Sequence, residues 1–459
     1  MKKGDICKVK ITDLNNLGCG VGKLEEGRVI FVRGAVTGDE IEAKIIKVNS
    51  KFCVGRLEKI LTASKNRIHE RFCEAPESCG GCIYRHISYE HELELKRNYV
   101  KNAFRKVGLP EVCVESVANT GEVSGYRNKA QFPIRSIKGK PTAGFFAVKT
   151  HDLIPLSNCT LQPNSFSEIA KTVCEMAFES GISAYDEESG KGVLRHVYIR
   201  LGEATDEIMV CLVLNENCQA VNSEFAEKLA KRFPGIVSVM LNYNRRITNE
   251  ILGEEYECIF GRDYIEDVLC GVRFRISADS FWQVNHKGAE LLYSLARERA
   301  DMRGGTLLDL YCGTGSIGLT MSKDADRLVG IEIVERAVEC AKVNAKINGI
   351  ENAEFYCGDA SDSEGIIASA EKQTGKINAD VVVLDPPRKG STPELIGYIA
   401  ARKIPRVVYV SCDPDTLARD CKLFSELGYE IGVVTPVDMF PRTGHVESVV
   451  CLDKARQSD

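Results

Sequence analysis

"YEIGVVTPVDMFPRTGHVESVVCL", residues 429–452, holds two apolar, β-branched runs joined by the turn MFPRTG. So short a turn cannot return the chain to its starting edge for parallel pairing, so the second run is expected to be antiparallel. Upstream, TLLDLY (from residue 306), RLVGIEI, AEFYCGD, DVVVLDPP and RVVYVSC are strand-like runs that alternate with helical stretches. Strands alternating with helices build a parallel, doubly wound sheet with helices on both faces. Residues 276–459 are therefore expected to form an α/β domain of seven strands, six parallel and the last antiparallel.

Ahead of this domain the rhythm differs. Residues 1–59 contain short alternating runs (ICKVKITDL, RVIFVRG, EIEAKIIKV, CVGRLEKI) punctuated by Gly18, Gly20, Gly22, Gly27, Gly34 and Gly38. Four or five short strands in so few residues predict a small closed barrel. Residues 60–275 open with a cysteine-rich loop and the charged amphipathic stretch SYEHELELKRNYVKNAFRKVG, then mix strands with a helix around FSEIAKTVCEMAFES, an α+β pattern. The 459 residues, 44% hydrophobic and 27% charged, suit three such globular domains. No run approaches 18 apolar residues and MKKGDICKVK carries no secretory segment, so a cytoplasmic location without a membrane partner is expected. The 19 cysteines are scattered, odd in number and set in apolar runs, which predicts reduced thiols and not a disulfide framework. Net charge is −5, yet residues 1–110 carry 21 Lys and Arg against 14 Asp and Glu. A basic front on an acidic body suits a protein that holds a polyanion at one end.

Four motifs carry chemistry. In DLYCGTGSIG, residues 309–318, Gly313, Gly315 and Gly318 spell G-x-G-x-x-G between a strand and its helix. Glu332 closes the next strand, placed to accept hydrogen bonds from ribose hydroxyls; the pair serves NAD and S-adenosylmethionine equally. LDPPRKG, residues 384–390, favours the second, because Asp385 ends the fourth strand and two prolines hold the backbone extended toward the crevice. A strand-end D-P-P of this kind goes with methylation of a planar nitrogen or carbon in a nucleobase. VVYVSCDPDTLARD, residues 407–420, ends a buried strand on Cys412 and starts a helix at once, with Asp413 as N-cap and Pro414 at the first helical position. A helix N-terminus favours thiolate at Cys412, although the Asp413 carboxylate opposes it. CEAPESCGGC sets Cys73, Cys79 and Cys82 as C-x5-C-x2-C, which suits a soft metal centre, zinc by spacing alone.

The sheet pattern resembles the Rossmann-like class I methyltransferases, whose seventh strand inserts antiparallel beside the fifth. That order implies that Glu447, at the start of the last strand, meets Cys412, with Asp385 approaching from the other side. A thiolate added to carbon 6 of uracil makes carbon 5 nucleophilic, and a base must later remove the carbon 5 proton. These residues resemble the RNA uracil-5-methyltransferases of the 23S ribosomal RNA type. SCDPDTLARD looks like the nucleophile motif, TGHVES the base motif and DSFWQVN the donor-and-substrate motif. YRNKAQF (residues 126–132) and a barrel resembling an OB-like TRAM domain extend the likeness over nearly the whole chain.

The resemblance implies that Cys412 and Glu447 are catalytic, and that Gln283, Tyr311, Glu332, Asp359 and Asp385 line the S-adenosylmethionine pocket. It also implies that Phe281 stacks on a uracil flipped out of its helix, beside Arg127. In place of zinc it implies a [4Fe-4S] cluster on Cys73, Cys79, Cys82 and Cys159 of SNCTLQP. Asp413 stands where many relatives carry Asn. The implied substrate is ribosomal RNA, with transfer RNA as the alternative and no protein partner. A non-catalytic iron–sulfur RNA-binding protein or a D-P-P amino-methyltransferase would leave Cys412 without a purpose.

Overall fold

Every second residue of Ile6–Leu14 (β1) turns inward at first, with Cys7, Val9 and Ile11 buried and Lys8 and Lys10 exposed. Similar alternation in Cys19–Lys23 (β2), Val29–Arg33 (β3), Glu40–Val48 (β4) and the start of Phe52–Thr62 (β5) closes these five strands into a barrel, in the order β1-β2-β3-β5-β4. The computed structural model describes residues 1–455 except 69, 71, 149, 156–157, 359–366, 368–370 and 372–374.

Helix Tyr89–Lys106 (α1) starts where Ser88 Oγ accepts from the His91 N–H (3.3 Å). A seven-stranded sheet follows, built from Lys129–Ile137 (β6), Lys140–Phe146 (β7), Leu153–Pro155 (β8), Leu194–Gly202 (β9), Glu207–Leu214 (β10), Ile236–Tyr243 (β11) and Glu255–Gly261 (β12), in the order β12-β11-β10-β9-β6-β7-β8. Asn164–Glu179 (α2) and Ser223–Arg232 (α3) bury Phe166, Ile169, Val173, Phe225 and Leu229 against it. Tyr264–Leu269 (β13) and Val272–Ser277 (β14) then pair as a hairpin.

The remaining elements are His286–Ala300 (α4), Thr306–Leu310 (β15), Ser316–Met321 (α5), Arg327–Glu332 (β16), Glu335–Ile347 (α6), Ala353–Cys357 (β17), Val381–Leu384 (β18), Pro393–Ala401 (α7), Arg406–Ser411 (β19), Pro414–Glu426 (α8), Tyr429–Ile431 (β20), Thr435–Val437 (β21) and Glu447–Lys454 (β22). Their sheet runs β17-β16-β15-β18-β19-β22-β20, with β21 also on β22, and β22 is antiparallel to β19, β20 and β21. The expected insertion of the last strand beside the fifth is thus present. The expected count of seven is corrected to eight, because the run after Tyr429 breaks at residues 432–434. There the Val434 N–H donates to Cys113 O (2.9 Å) and Val434 O accepts from Glu115 N–H (3.0 Å), so that a distant segment takes its hydrogen bonds.

Alternate residues of the parallel strands feed two cores. Leu307, Val383 and Val408 pack with Ile265, Phe274 and Ile276 of the β13–β14 hairpin. Leu308, Val382 and Val407 pack with Val100, Ala103 and Phe104 of α1. Among the described residues no helix is long and apolar enough to cross a membrane.

Candidate active site

The β19–β22 register sets Ser411 opposite Ser448, so Cys412 and Glu447 follow at the same rim, where the Glu447 carboxyl acts on the thiol. Cys412 stays at this junction because α8 begins immediately. Asp413 Oδ1 accepts from the N–H groups of Asp415 (3.0 Å) and Thr416 (3.1 Å), and Pro414 takes the first helical position. Glu447 is 6% exposed and Cys412 is half-buried. Burial and then Asp385 push the Glu447 carboxyl up to about 8, with Arg388 opposing. Burial alone lifts Asp385 to about 7. Burial, then Glu447 and Asp385, push the Cys412 thiol up to about 11, again against Arg388. The expectation that the helix N-terminus favours thiolate is therefore corrected: desolvation and two facing carboxyls outweigh it.

One strand further across the sheet, the glycine loop is built around two carboxylates. Gly313 (φ +55°) donates its N–H to Glu332 Oε2 (3.0 Å), while Glu332 Oε1 accepts from Val334 N–H (2.9 Å). A Cβ on Gly313 would meet no atom within 4 Å, so this turn faces open space. Gly318 serves packing instead: its N–H donates to Asp309 Oδ2 (2.9 Å), and a Cβ there would lie 2.7 Å from that oxygen. Tyr311 itself holds φ +66°, a left-handed conformation that a tyrosine adopts only when its surroundings impose it. Tyr293 shares a hydrogen bond with Ser316 Oγ (2.9 Å) and has the Gln283 side chain as a further partner. Asp309 is buried and lifted to about 7 by burial, despite the Gly318 N–H, with Asp385 and Glu332 adding to the rise. Among the described residues its Oδ1 has no hydrogen-bond partner. Asp309 was not among the expected site residues, although an acid one residue from the end of the strand before the loop is a readable signal. Asp359 lies outside the described residues.

The segment carrying Phe281 is stitched to the YRNK segment. Asn128 donates from Nδ2 to Gln283 O (3.0 Å) and from its backbone N–H to Val284 O (2.9 Å), and Arg127 bridges to Asn285. Buried Arg200 donates to Ser280 O, immediately before Phe281, whose ring is 68% exposed. Lys129 faces Arg200 across β6–β9, and burial, then Arg200 and Arg127, lower its ammonium to about 8. No local sequence pattern announces this cationic pair.

Cys73, Cys79, Cys82 and Cys159 line one cavity of about 130 Å³, together with Arg85, Arg127 and Gln162. Burial and then the thiols of Cys159, Cys73 and Cys79 raise Cys82 to about 12, so the four sulfurs act on one another. Among the described residues, no group of three or more His, Cys, Asp or Glu is arranged to hold a metal ion.

The family described as tRNA (Uracil-5-)-methyltransferase matches residues 88–455, and the TRAM domain matches residues 1–57. An RNA methyltransferase of Clostridium tetani (strain Massachusetts / E88) is 41% identical, covering 98% of this chain and 97% of its own. One from Listeria monocytogenes serovar 1/2a is 39% identical over 98% of both chains. The crystal structure of Pyrococcus abyssi tRNA (uracil-54, C5)-methyltransferase in complex with S-adenosyl-L-homocysteine superposes with a TM-score of 0.76 at 28% identity, covering 97% of this chain and 99% of that one.

Proposed function

Because the chain belongs to the tRNA (uracil-5-)-methyltransferase family, we propose that this RNA methyltransferase methylates carbon 5 of a uridine in 23S ribosomal RNA through a covalent bond between Cys412 and carbon 6. The meeting of Cys412 and Glu447 across β19–β22, beside Asp385, carries this reading. The open turn at Gly313, with a carboxylate on the neighbouring strand, fits S-adenosylmethionine, which Gln283, Tyr311, Glu332 and Asp385 would hold together with Asp359. Bound there, it supplies an electrophilic methyl group.

The chain's own side chains make carbon 5 able to accept that group. Cys412 Sγ, half-buried, gives up its proton to solvent and bonds to carbon 6, and the electrons of the 5,6 double bond move into an enolate. After carbon 5 has gained its methyl group, Glu447 as carboxylate removes the carbon 5 proton. The freed pair restores the double bond and expels Cys412 as thiolate. Phe281 offers an exposed ring for the flipped base to stack on, and this reading gives Arg127 the role of a second substrate contact. In this division of labour residues 1–59 hold RNA, 60–275 position it and 276–459 do the chemistry. Four thiols line one cavity, and although the described side chains are not arranged around a metal ion, this reading gives Cys73, Cys79, Cys82 and Cys159 a [4Fe-4S] cluster that would tie loops together without a redox step in methyl transfer.

Transfer RNA is a second reading, favoured by the likeness to the Pyrococcus abyssi enzyme. Incubation of ribosomal and transfer RNA with labelled methyl donor tests both. Label at 5-methyluridine in ribosomal RNA is expected with the parent and none with Cys412→Ala. Glu447→Gln should leave a labelled protein–RNA band on a denaturing gel. Label in transfer RNA alone would establish the second reading, and methylation by Cys412→Ala would overturn the covalent mechanism.

A further inference from the structure

Between β21 and β22 the chain passes through residues 438–446, DMFPRTGHV, and arrives at Glu447. This loop is gripped by a buried ionic network. Lys96 Nζ donates to Glu92 Oε1 (2.8 Å), Asp438 Oδ1 (2.7 Å) and Phe440 O (3.1 Å), and Tyr89 OH donates to Asp438 Oδ2 (2.8 Å). The side chains of Lys96, Glu92 and Asp438 are at most 1% exposed. Arg442 completes the set: its backbone N–H donates to Glu92 Oε1 (2.7 Å) and its Nη1 to Ile87 O (3.0 Å). Two cations then face two carboxylates, a pairing without which each ion's burial would be prohibitive.

Arg442 also touches both ends of the cysteine loop. Its guanidinium lies over the ring of Phe72, 4.8 Å from the centroid, and Phe72 precedes Cys73. Its carbonyl accepts from the N–H groups of Ile83 (3.0 Å) and Tyr84 (3.2 Å), which follow Cys82. It does so at φ +69°, a conformation that a non-glycine residue keeps only where its neighbours hold it.

We propose that Arg442 is a positioning residue that couples the cysteine loop to the start of β22, so that the arrangement of residues 72–84 sets where Glu447 stands. Resting on the uracil chemistry proposed above, this coupling acts on the step that frees RNA from Cys412. It leaves addition to carbon 6 and methyl transfer nearly untouched, since neither needs Glu447. A loop disturbance therefore traps the enzyme on its product.

The test compares Glu447→Gln, Arg442→Ala, Arg442→Lys and Phe72→Leu, the last removing the stacking ring while leaving every charge in place. With labelled methyl donor and RNA, Arg442→Ala and Phe72→Leu are expected to accumulate the labelled protein–RNA band. Steady-state turnover should fall about tenfold or more while single-turnover methyl transfer changes less than about threefold. Arg442→Lys should restore part of the turnover. Hydrogen–deuterium exchange should rise in residues 438–447 of Cys82→Ser and in residues 72–85 of Arg442→Ala. If Glu447→Gln accumulates the band while Arg442→Ala and Phe72→Leu lose both rates equally, Arg442 is a stability residue only and the coupling is overturned. If Glu447→Gln itself accumulates no band, the uracil chemistry falls and the coupling with it.

Discussion

At pH 6 the Cys412 thiol and the carboxyls of Asp385 and Glu447 mostly hold their protons, so the proposed addition to uracil would begin with loss of the Cys412 proton. Glu447 is charged at the pH where Cys412 titrates, and its charge raises the thiol; Glu447→Gln should therefore shift alkylation of Cys412 by iodoacetamide to lower pH, read by mass spectrometry of its peptide. An unmoved profile would separate the two side chains. Asp309 and Asp385 rise from 3.8 to about 7 and Glu447 from 4.5 to about 8 on folding. At these three carboxyls the folded chain binds more protons than the unfolded one between about pH 4 and pH 8, and their stabilising contribution is lost as pH rises through that window, whereas buried His86 and His196, lowered to about 4 and about 3 by burial, act in the opposite sense below about pH 6.5. The thermal midpoint should consequently fall from about pH 6.5 to pH 8, where the histidines no longer oppose the carboxyls, with a shallower slope in Glu447→Gln. Cys412, Asp385 and Glu447 were legible in the sequence because each sits at a strand end whose place follows from the sheet order. Their proton affinities were not, since these depend on side chains from three strands meeting out of water.

The contrast between two lysines on α1 shows what holds that helix in place. Lys96→Met would leave buried Asp438 without its cation and Glu92 with Arg442 alone, and should cost about 3–5 kcal/mol in urea denaturation. Lys106→Met should cost less than about 1 kcal/mol, since its 3.0 Å pair with Asp415 is open to solvent on both sides. Equal losses would show that the buried network carries no special share. For the cysteine loop, anaerobically purified protein should contain iron and acid-labile sulfide that Cys79→Ser loses; stoichiometric zinc without either would refute the cluster. Helix α1 could be read from its charged amphipathic stretch. Its link to residues 438–442 could not, because more than three hundred residues of chain separate the partners. The break between β20 and β21 escaped sequence reading for the same reason: residues 113–115, far upstream, take the hydrogen bonds that a continuous strand would have made.

Across the whole molecule, charge and chemistry are set at different places. Lys8 and Lys10 point outward from the barrel, far along the chain from the β19–β22 rim. Replacing both with Gln should weaken RNA binding and flatten its dependence on salt by about one logarithmic unit for each phosphate that the barrel no longer neutralises, with S-adenosylmethionine binding unchanged in calorimetry. An unaltered salt slope would move the RNA footprint off this face. The charge asymmetry that suggests the experiment was plain in the sequence, whereas the packing of the barrel on the central loop, Tyr84 OH donating to Asn15 O (2.9 Å), was not. The position of β22 bears on how the enzyme is made. It follows every other described strand in the chain, yet lies between β19 and β20. A nascent polypeptide must therefore emerge with a gap in its sheet, two unpaired edges open to mispairing, and a cysteine without its opposing acid. Translation order thus sets assembly order: until β22 is made, the sheet lacks the strand that carries Glu447 to the rim where Cys412 stands.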